Sequence, residues 1–314
     1  MKYSKVKYYN QQMSTKKPFL KWIGGKTQII DKIMDMFPTT MNDYHEPFLG
    51  GGSVLLALLS YIEHGKIHVD GTIYASDLNQ SLINLYKTIQ FQPNELIIEL
   101  KNLVAEFSLC ENVKIDRKAK NLTEALSSQE SYYFWIRARF NRMNHDNISS
   151  PLTSAMMLFL NKTCFRGMYR EGPNGFNVPF GNYKNPSIFD DEHLLKISGL
   201  IKNVVFTHES FTESLSRVKC GDFLYLDPPY APECSTSFVS YTNDGFDIEN
   251  HRLLFEKCNK MDILGIRFLL SNSNVPMVND AFSSPQYTRC KISCRHAINS
   301  KKPDSRADEI LISN

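Results

Sequence analysis

Cysteine-based scaffolding is what this chain most plainly lacks. Its seven cysteines form no CxxC pair, and 314 residues suffice to bury an apolar core without disulfides, so reduced intracellular thiols are expected. The eight histidines make no HExxH or similar ligand spacing, so no metal site is expected. A GxxxxGK loop ending in Ser or Thr is absent, which disfavours a P-loop nucleotidase. So is a Pro-Cys pair, the usual setting for covalent attack on cytosine C5. Uncharged apolar runs such as Val54 to Leu59 are far too short to span a bilayer, and no membrane partner is expected. The start, MKYSKVKYYNQQMSTKK, lacks the apolar centre of a signal peptide and reads as a flexible tail over 1–17.

A large net charge is also lacking, since 36 Lys and Arg stand against 33 Asp and Glu for a net of +3, but the charge is unevenly placed. Residues 131–185 carry seven bases (Arg137, Arg139, Arg142, Lys162, Arg166, Arg170, Lys184) against Asp146 and Glu171. Residues 289–306 carry six bases against Asp304. Two basic islands on a mildly acidic body suit a polyanion-binding face, or two ordinary solvated surfaces.

What is present begins with an alternation of elements. Ile29, Ile30, Ile33 and Phe37 fall at helical spacing; a strand is expected near Tyr44–Phe48, a glycine loop at Gly50-Gly51-Gly52, a helix to about Tyr61, and a strand over Thr72–Ser76 ending at Asp77. Leu82, Ile83, Leu85, Tyr86 and Ile89 then mark a helix face. Strand, glycine loop, helix, strand, acid is a βαβ signature. From Pro93 to about Asn161 helix signals replace strand alternation (Glu95–Phe107, Glu130–Met143, Pro151–Leu160), followed by a glycine-rich segment, Cys164–Tyr183. Strands are expected again near Val204–Thr207, Phe223–Leu226, Arg267–Ser271 and Tyr287–Ile292, with helices over Asp190–Ile197 and Asp247–Met261. The division expected is a cofactor-binding part at 18–91, a helical target-recognition subdomain with a hairpin at 92–187, and a catalytic part at 188–314.

Asp227-Pro228-Pro229-Tyr230 follows the apolar run Phe223–Leu226, so it sits at a strand's carboxyl edge, where open α/β sheets bind ligands. An exocyclic amine on a base is a poor nucleophile because its lone pair is delocalised into the ring. A carboxylate from Asp227 and a carbonyl from Pro228 can each accept one N–H and direct that lone pair at an electrophile. Pro229 stiffens the turn, and Tyr230 offers a stacking face for a base taken out of a helix. The same residues could form only a proline-rich turn. Gly50 and Gly52 permit close backbone approach and positive φ, and Asp77 could accept from ribose hydroxyls. Trp22 could stack beside a cofactor or fill the core; Lys26 could meet a carboxylate or lie on the surface.

Bases and aromatics interleave through Asn161, Lys162, Phe165, Arg166, Tyr169 and Arg170. Such a loop can reach a groove, where an Arg can fork onto guanine. Arg137 and Arg139, with Arg142 and His145, read as phosphate neighbours or a solvated face. For Arg295, Asn299, Lys301, Lys302 and Arg306, backbone contact is the favoured reading.

Together these segments resemble the DNA adenine-N6 methyltransferase family related to the bacterial Dam enzymes. The match runs from Phe19-Leu20-Lys21-Trp22-Ile23-Gly24-Gly25-Lys26 through Glu46-Pro47-Phe48-Leu49-Gly50-Gly51-Gly52-Ser53, Ser76-Asp77-Leu78-Asn79, Leu160-Asn161-Lys162 and Phe176-Asn177-Val178-Pro179-Phe180-Gly181. It closes with Asp227-Pro228-Pro229-Tyr230-Ala231-Pro232 and Leu270-Ser271-Asn272, and covers roughly 18–312. The resemblance implies a Rossmann-like α/β methyltransferase with a mixed central sheet and a mainly helical target-recognition subdomain. It implies S-adenosyl-L-methionine as methyl donor, S-adenosyl-L-homocysteine as product and no metal. Trp22, Lys26, Phe48, Gly50, Gly52, Asp77 and Asp227 would line the cofactor site. Asp227, Pro228, Pro229 and Tyr230 would hold a flipped adenine, and the DNA-facing set includes Asn177 beside the bases above.

The implied partner is double-stranded DNA at a short specific sequence, with GATC a candidate and a separately acting restriction endonuclease compatible. The protein would be a monomer or weak dimer, cytoplasmic and associated with nucleoid or viral DNA. One position departs: many GATC-reading relatives have asparagine where this chain has Arg166. Cytosine-N4 methylation, RNA-adenine methylation and an inactive DNA-binding relative remain alternatives.

Overall fold

The computed structural model describes residues 17–111, 113–146, 149–232, 246–295 and 306–314; for 294, 295, 306 and 307 it describes backbone only. The tail at 1–16, Cys234, Asn299, Lys301, Lys302 and Asp304 lie outside these residues. No helix among the described residues is long and apolar enough to cross a membrane.

The central sheet has seven strands, drawn from β2 (Tyr44–Glu46), β4 (Ile73–Asp77), β7 (Val204–His208), β8 (Phe223–Leu226), β9 (Arg267–Ser273), β10 (Thr288–Arg295) and β11 (Arg306–Ser313). Their order is β10-β11-β9-β8-β2-β4-β7. The five strands from β9 to β7 run parallel, and β11 pairs antiparallel with both β9 and β10. Short pairs β1 (Thr40–Met41) with β3 (His68–Val69), and β5 (Glu171–Gly172) with β6 (Gly175–Phe176), complete the strands. This is a mixed-sheet, Rossmann-like α/β fold.

All four residues of β8 are buried, as a strand covered on both faces requires. Its alternate side chains serve two apolar clusters. Phe223 and Tyr225 point into one that runs through Tyr44, Leu82 and Ile89 to Leu96, Phe107, Tyr132 and Phe159. Leu224 and Leu226 point into the other, with Phe268, Leu270, Leu254, Phe282 and Ile310. The helical stretch therefore shares a core with one face of the sheet.

Two of its helices start on legible caps. Ser128 caps α6 (Gln129–His145), and Ser150 caps α7 (Pro151–Thr163), which has Pro at its first position, where the missing N–H costs nothing. Helices α3 (Gln80–Phe91) and α4 (Pro93–Ser108) pack against α7.

The strand expected near Tyr287–Ile292 is longer, Thr288–Arg295, because it pairs along its whole length with β11, from Thr288 opposite Ser313 to Arg295 opposite Arg306. Strand β11 itself was not anticipated. It lies between β9 and β10 with Ile310, Leu311 and Ile312 fully buried, so the alternation that marks a one-sided strand is missing.

Candidate active site

The parallel strands converge at their carboxyl edge. Strand β2 ends at Glu46 and passes through Pro47-Phe48 into the glycine loop, and the Gly52 amide closes the turn on the Leu49 carbonyl at 2.9 Å. Gly50 and Gly52 both have positive φ, 50° and 67°, which side chains disfavour. The glycines also meet a spatial demand. A Cβ on Gly50 would lie 3.0 Å from the Trp22 ring, and one on Gly52 would lie 2.3 Å from the Tyr86 hydroxyl. Trp22 is half-buried against the loop, and its ring stacks on Tyr169 at 5.6 Å.

Asp77, at the end of β4, holds the loop from below. Its Oδ2 accepts the Gly50 N–H and its Oδ1 the Asn79 N–H, both at 2.9 Å. Burial raises its pKa, opposed by those two hydrogen bonds. Asn79 then caps α3 by accepting from the Leu82 N–H. The Leu78 N–H also favours the charged carboxylate, and the acceptor capacity these main-chain donors leave is available to a ligand hydroxyl.

Lys26 is buried rather than on the surface. Its Nζ lies 3.0 Å from Asp227 Oδ1, donates to the Gly24 carbonyl at 2.8 Å and stands 4.5 Å from the Tyr230 ring centroid. Among the described residues no hydrogen bond reaches Asp227 Oδ2. Burial pushes the Asp227 carboxyl up to about 6; Lys26 opposes the shift and the Glu309 charge adds to it. Pro228 is buried, Pro229 exposed and Tyr230 half-buried. The Tyr230 hydroxyl is 2.8 Å from both Ser271 Oγ and Glu309 Oε2. The Ala231 N–H donates to Asn272 Oδ1 at 3.0 Å, which ties the end of the motif to β9.

Glu46 lies beneath this cluster, 2 % exposed. Burial pushes its carboxyl up to about 8, against the hydrogen bond it accepts from Tyr44 (2.7 Å) and with the Asp227 charge reinforcing the rise. Phe48 stacks on Phe211 at 5.6 Å with Phe246 edge-on at 5.7 Å, an apolar wall beside the glycine loop.

The basic hairpin projects from the end of α7. Asn161 was expected to face DNA, and this is corrected: it is 1 % exposed. Its Oδ1 accepts the Lys21 N–H at 2.9 Å, while its Nδ2 donates to the carbonyls of Lys21 (2.7 Å) and Gly167 (3.3 Å). It braces the hairpin from inside. Asn177 is exposed but turned to Arg170, whose Nε donates to its Oδ1 at 2.6 Å. Tyr169 donates to Glu171 while its ring lies against Trp22, so one aromatic pair joins the glycine loop to the hairpin.

Arg166 is exposed with φ 56°, and Gly167 follows at 64°. Asparagine tolerates that left-handed backbone better than arginine, so this position carries conformational strain. Lys162 is half-buried beside Lys21, and burial together with the neighbouring charge lowers its pKa to about 8. Arg137 donates to the Val178 carbonyl at 3.2 Å and Arg139 lies over the Trp135 ring, so both also brace the helical part. Arg295 and Arg306 face each other in the β10–β11 register.

Sequence reasoning gave no role to Glu46, Tyr44, Phe211, Tyr86 or Glu309. Glu46 precedes Pro47-Phe48-Leu49, an apolar stretch that is a signal of burial. For Glu309 there was no local signal, since its place depends on β11.

A family model described as D12 class N6 adenine-specific DNA methyltransferase matches residues 22–298. The chain is 36% identical over 309 residues to the Type II methyltransferase M.MjaIII of Methanocaldococcus jannaschii, covering 95% of this chain and 99% of that protein. It is 31% identical to the Type II methyltransferase M1.LlaDCHI of Lactococcus lactis subsp. cremoris, and 28% identical to the DNA adenine methylase of Escherichia coli K12. Each of these two alignments covers 95% of both chains.

Proposed function

This chain belongs to the D12 class of N6 adenine-specific DNA methyltransferases, and on that premise we propose that it methylates N6 of a flipped adenine within a short duplex sequence. GATC is the first sequence to test, because the resemblance to Dam-type enzymes suggests it. The observation that carries the reading is Asp227 at the carboxyl edge of β8, with Oδ1 taken by Lys26 and Oδ2 open beside a pinned Tyr230.

The residues suit S-adenosylmethionine as donor. The loop is kept free of Cβ atoms where Trp22 and Tyr86 crowd it, Lys26 can face a carboxylate, Asp77 retains acceptors for hydroxyls, and Phe48 supplies an apolar wall. When bound, that group provides an electrophilic methyl on a sulfonium. The chain's residues do the rest by positioning. Tyr230 stacks on the adenine. Asp227 Oδ2 and the Pro228 carbonyl accept the two N6 hydrogens and favour a more tetrahedral nitrogen. As the N6–C bond would form and the bond from the methyl to the donor sulfur would break, leaving the neutral thioether product, positive charge would grow on N6 and Asp227 Oδ2, already accepting one N6 hydrogen, would take the proton released. With a pKa of about 6 it is mostly ionised at neutral pH.

Arg170 and Arg166 on the hairpin read the groove in this proposal, and Lys162, Arg137, Arg139, Arg295, Asn299 and Arg306 serve the phosphates. The protein would act in the cytoplasm on nucleoid or viral DNA. The test is incubation with S-adenosylmethionine and random-sequence duplex DNA, followed by base-resolved mapping of N6-methyladenine, with matched RNA in parallel. One enriched motif containing methylated adenine supports the reading. N4-methylcytosine, or product on RNA alone, overturns it.

A further inference from the structure

Tyr230 is held at its far end by a residue that the reaction as described does not use. Its hydroxyl donates to Glu309 Oε2 at 2.8 Å, and Ser271 Oγ stands 2.8 Å from that same Tyr230 hydroxyl. Both partners belong to one antiparallel ladder: Glu309 pairs with Ser273, and Ser271 with Leu311. They are therefore set by the interior of the sheet. Among the described residues no cation forms an ion pair with Glu309, which leaves Tyr230 as its donor. The arrangement has a cost, because the Glu309 charge adds to the rise in the Asp227 pKa. A neutral acceptor would spare the site that repulsion.

We propose that Glu309 is a positioning residue for methyl transfer: by anchoring the Tyr230 hydroxyl it fixes the ring that stacks on the target base. A phenolic oxygen lies on the axis about which its ring turns, so two hydrogen bonds there fix where the axis points. Lys26, 4.5 Å from the ring centroid, limits the ring from one side. Small losses of alignment at a reacting centre are costly in rate. The proposal rests on the adenine-methylation reading above and deepens it.

The test uses the full-length chain, S-adenosylmethionine and duplex DNA carrying the mapped target. E309A and Y230F should each lower kcat about tenfold, with KM for S-adenosylmethionine changed less than about twofold. The double variant should be no slower than the slower single, since both remove one interaction. E309Q, which keeps an acceptor, should recover most of the loss. With 2-aminopurine at the target position, emission from the bound duplex should be higher for E309A and Y230F than for the unaltered protein, because a misaligned ring stacks and quenches less well.

Losses that multiply to about a hundredfold in the double variant would overturn the proposal, as would E309Q falling as low as E309A. Should E309A not fold, Y230F tests the same bond from the other side without touching β11, and full kcat in Y230F rejects the role. Transfer by the unaltered protein tests the underlying reading, so the two failures are told apart.

Discussion

Strands β2 and β8 carry acids at both ends, and the two ends use them in opposite ways. At the amino edge Asp222 Oδ1 accepts the Asp43 N–H at 3.2 Å and its Oδ2 the Lys219 N–H at 2.8 Å, with His45 Nε2 3.2 Å away. Asp43 Oδ1 in turn accepts the Thr72 N–H at 2.6 Å. Their ligand atoms lie within 4.8 Å of one another, a spacing that could suit a metal ion, yet main-chain donors already occupy the carboxylates. That end is a clamp between strands. At the carboxyl edge Asp227 meets one cation and keeps an oxygen open, while Glu46 is buried to the point of holding its proton near neutrality. A buried acid's role follows from who satisfies it: backbone N–H groups make a brace, and an unfilled acceptor makes a candidate for chemistry.

The sharpest way to break this contrast is to remove one acid from each end. Asp227→Ala should cut methyl transfer by about 10²–10³-fold or more while cofactor binding, followed by calorimetry, stays measurable. Asp222→Ala should instead cost about 1–3 kcal/mol of stability in urea melts, with kcat per folded molecule kept. Full turnover in the first variant, or lost turnover in a stably folded second one, would erase the distinction.

A second prediction concerns the ion pair. Lys26 opposes the burial that pushes Asp227 to about 6. Lys26→Met should therefore move the acidic limb of the kcat profile to higher pH, and an unmoved limb would separate Asp227 from that limb.

The third concerns Glu46. Its folded pKa of about 8 exceeds the ordinary 4.5, so the folded state holds a proton that the unfolded chain releases. Its stabilising contribution is complete below about 4.5 and is lost as pH rises through about 8. Glu46→Gln, which still accepts from Tyr44, should flatten the fall in thermal stability across that window. Equal slopes in the two proteins would remove Glu46 as the cause.

The smallest effect is expected away from both ends. Arg166→Asn should raise stability by about 1 kcal/mol or less by easing the left-handed backbone at φ 56°; a lower melting temperature would count against that account.

Part of the candidate site's framework is legible in the order of residues alone. Phe223–Leu226 followed by Asp227 reads as a buried strand ending in an acid, and the strand is found at those residues. The glycine run and Asp77 are also readable, though not that Asp77 spends one oxygen on the Gly50 N–H of the loop and the other on the Asn79 N–H at the start of α3. Asn161 looked like a DNA contact because it stands among bases, but nothing local shows that its side chain turns inward to the Lys21 backbone 140 residues away. Charge runs specify a neighbourhood without telling a brace from a contact.

What the chain's order of residues determined alone is local and chemical: where strands stop, which turns need glycine, and the acid, carbonyl and aromatic ring that an unreactive amine requires. Only the tertiary structure decided how those groups are satisfied. It buried Lys26 against Asp227, filled Asp222 with main-chain donors, and slid β11 between β9 and β10 so that Glu309 reaches Tyr230. The reason is physical. Burial and hydrogen-bond partnership are properties of space, and partners 79 or 140 positions apart become neighbours only when the core closes.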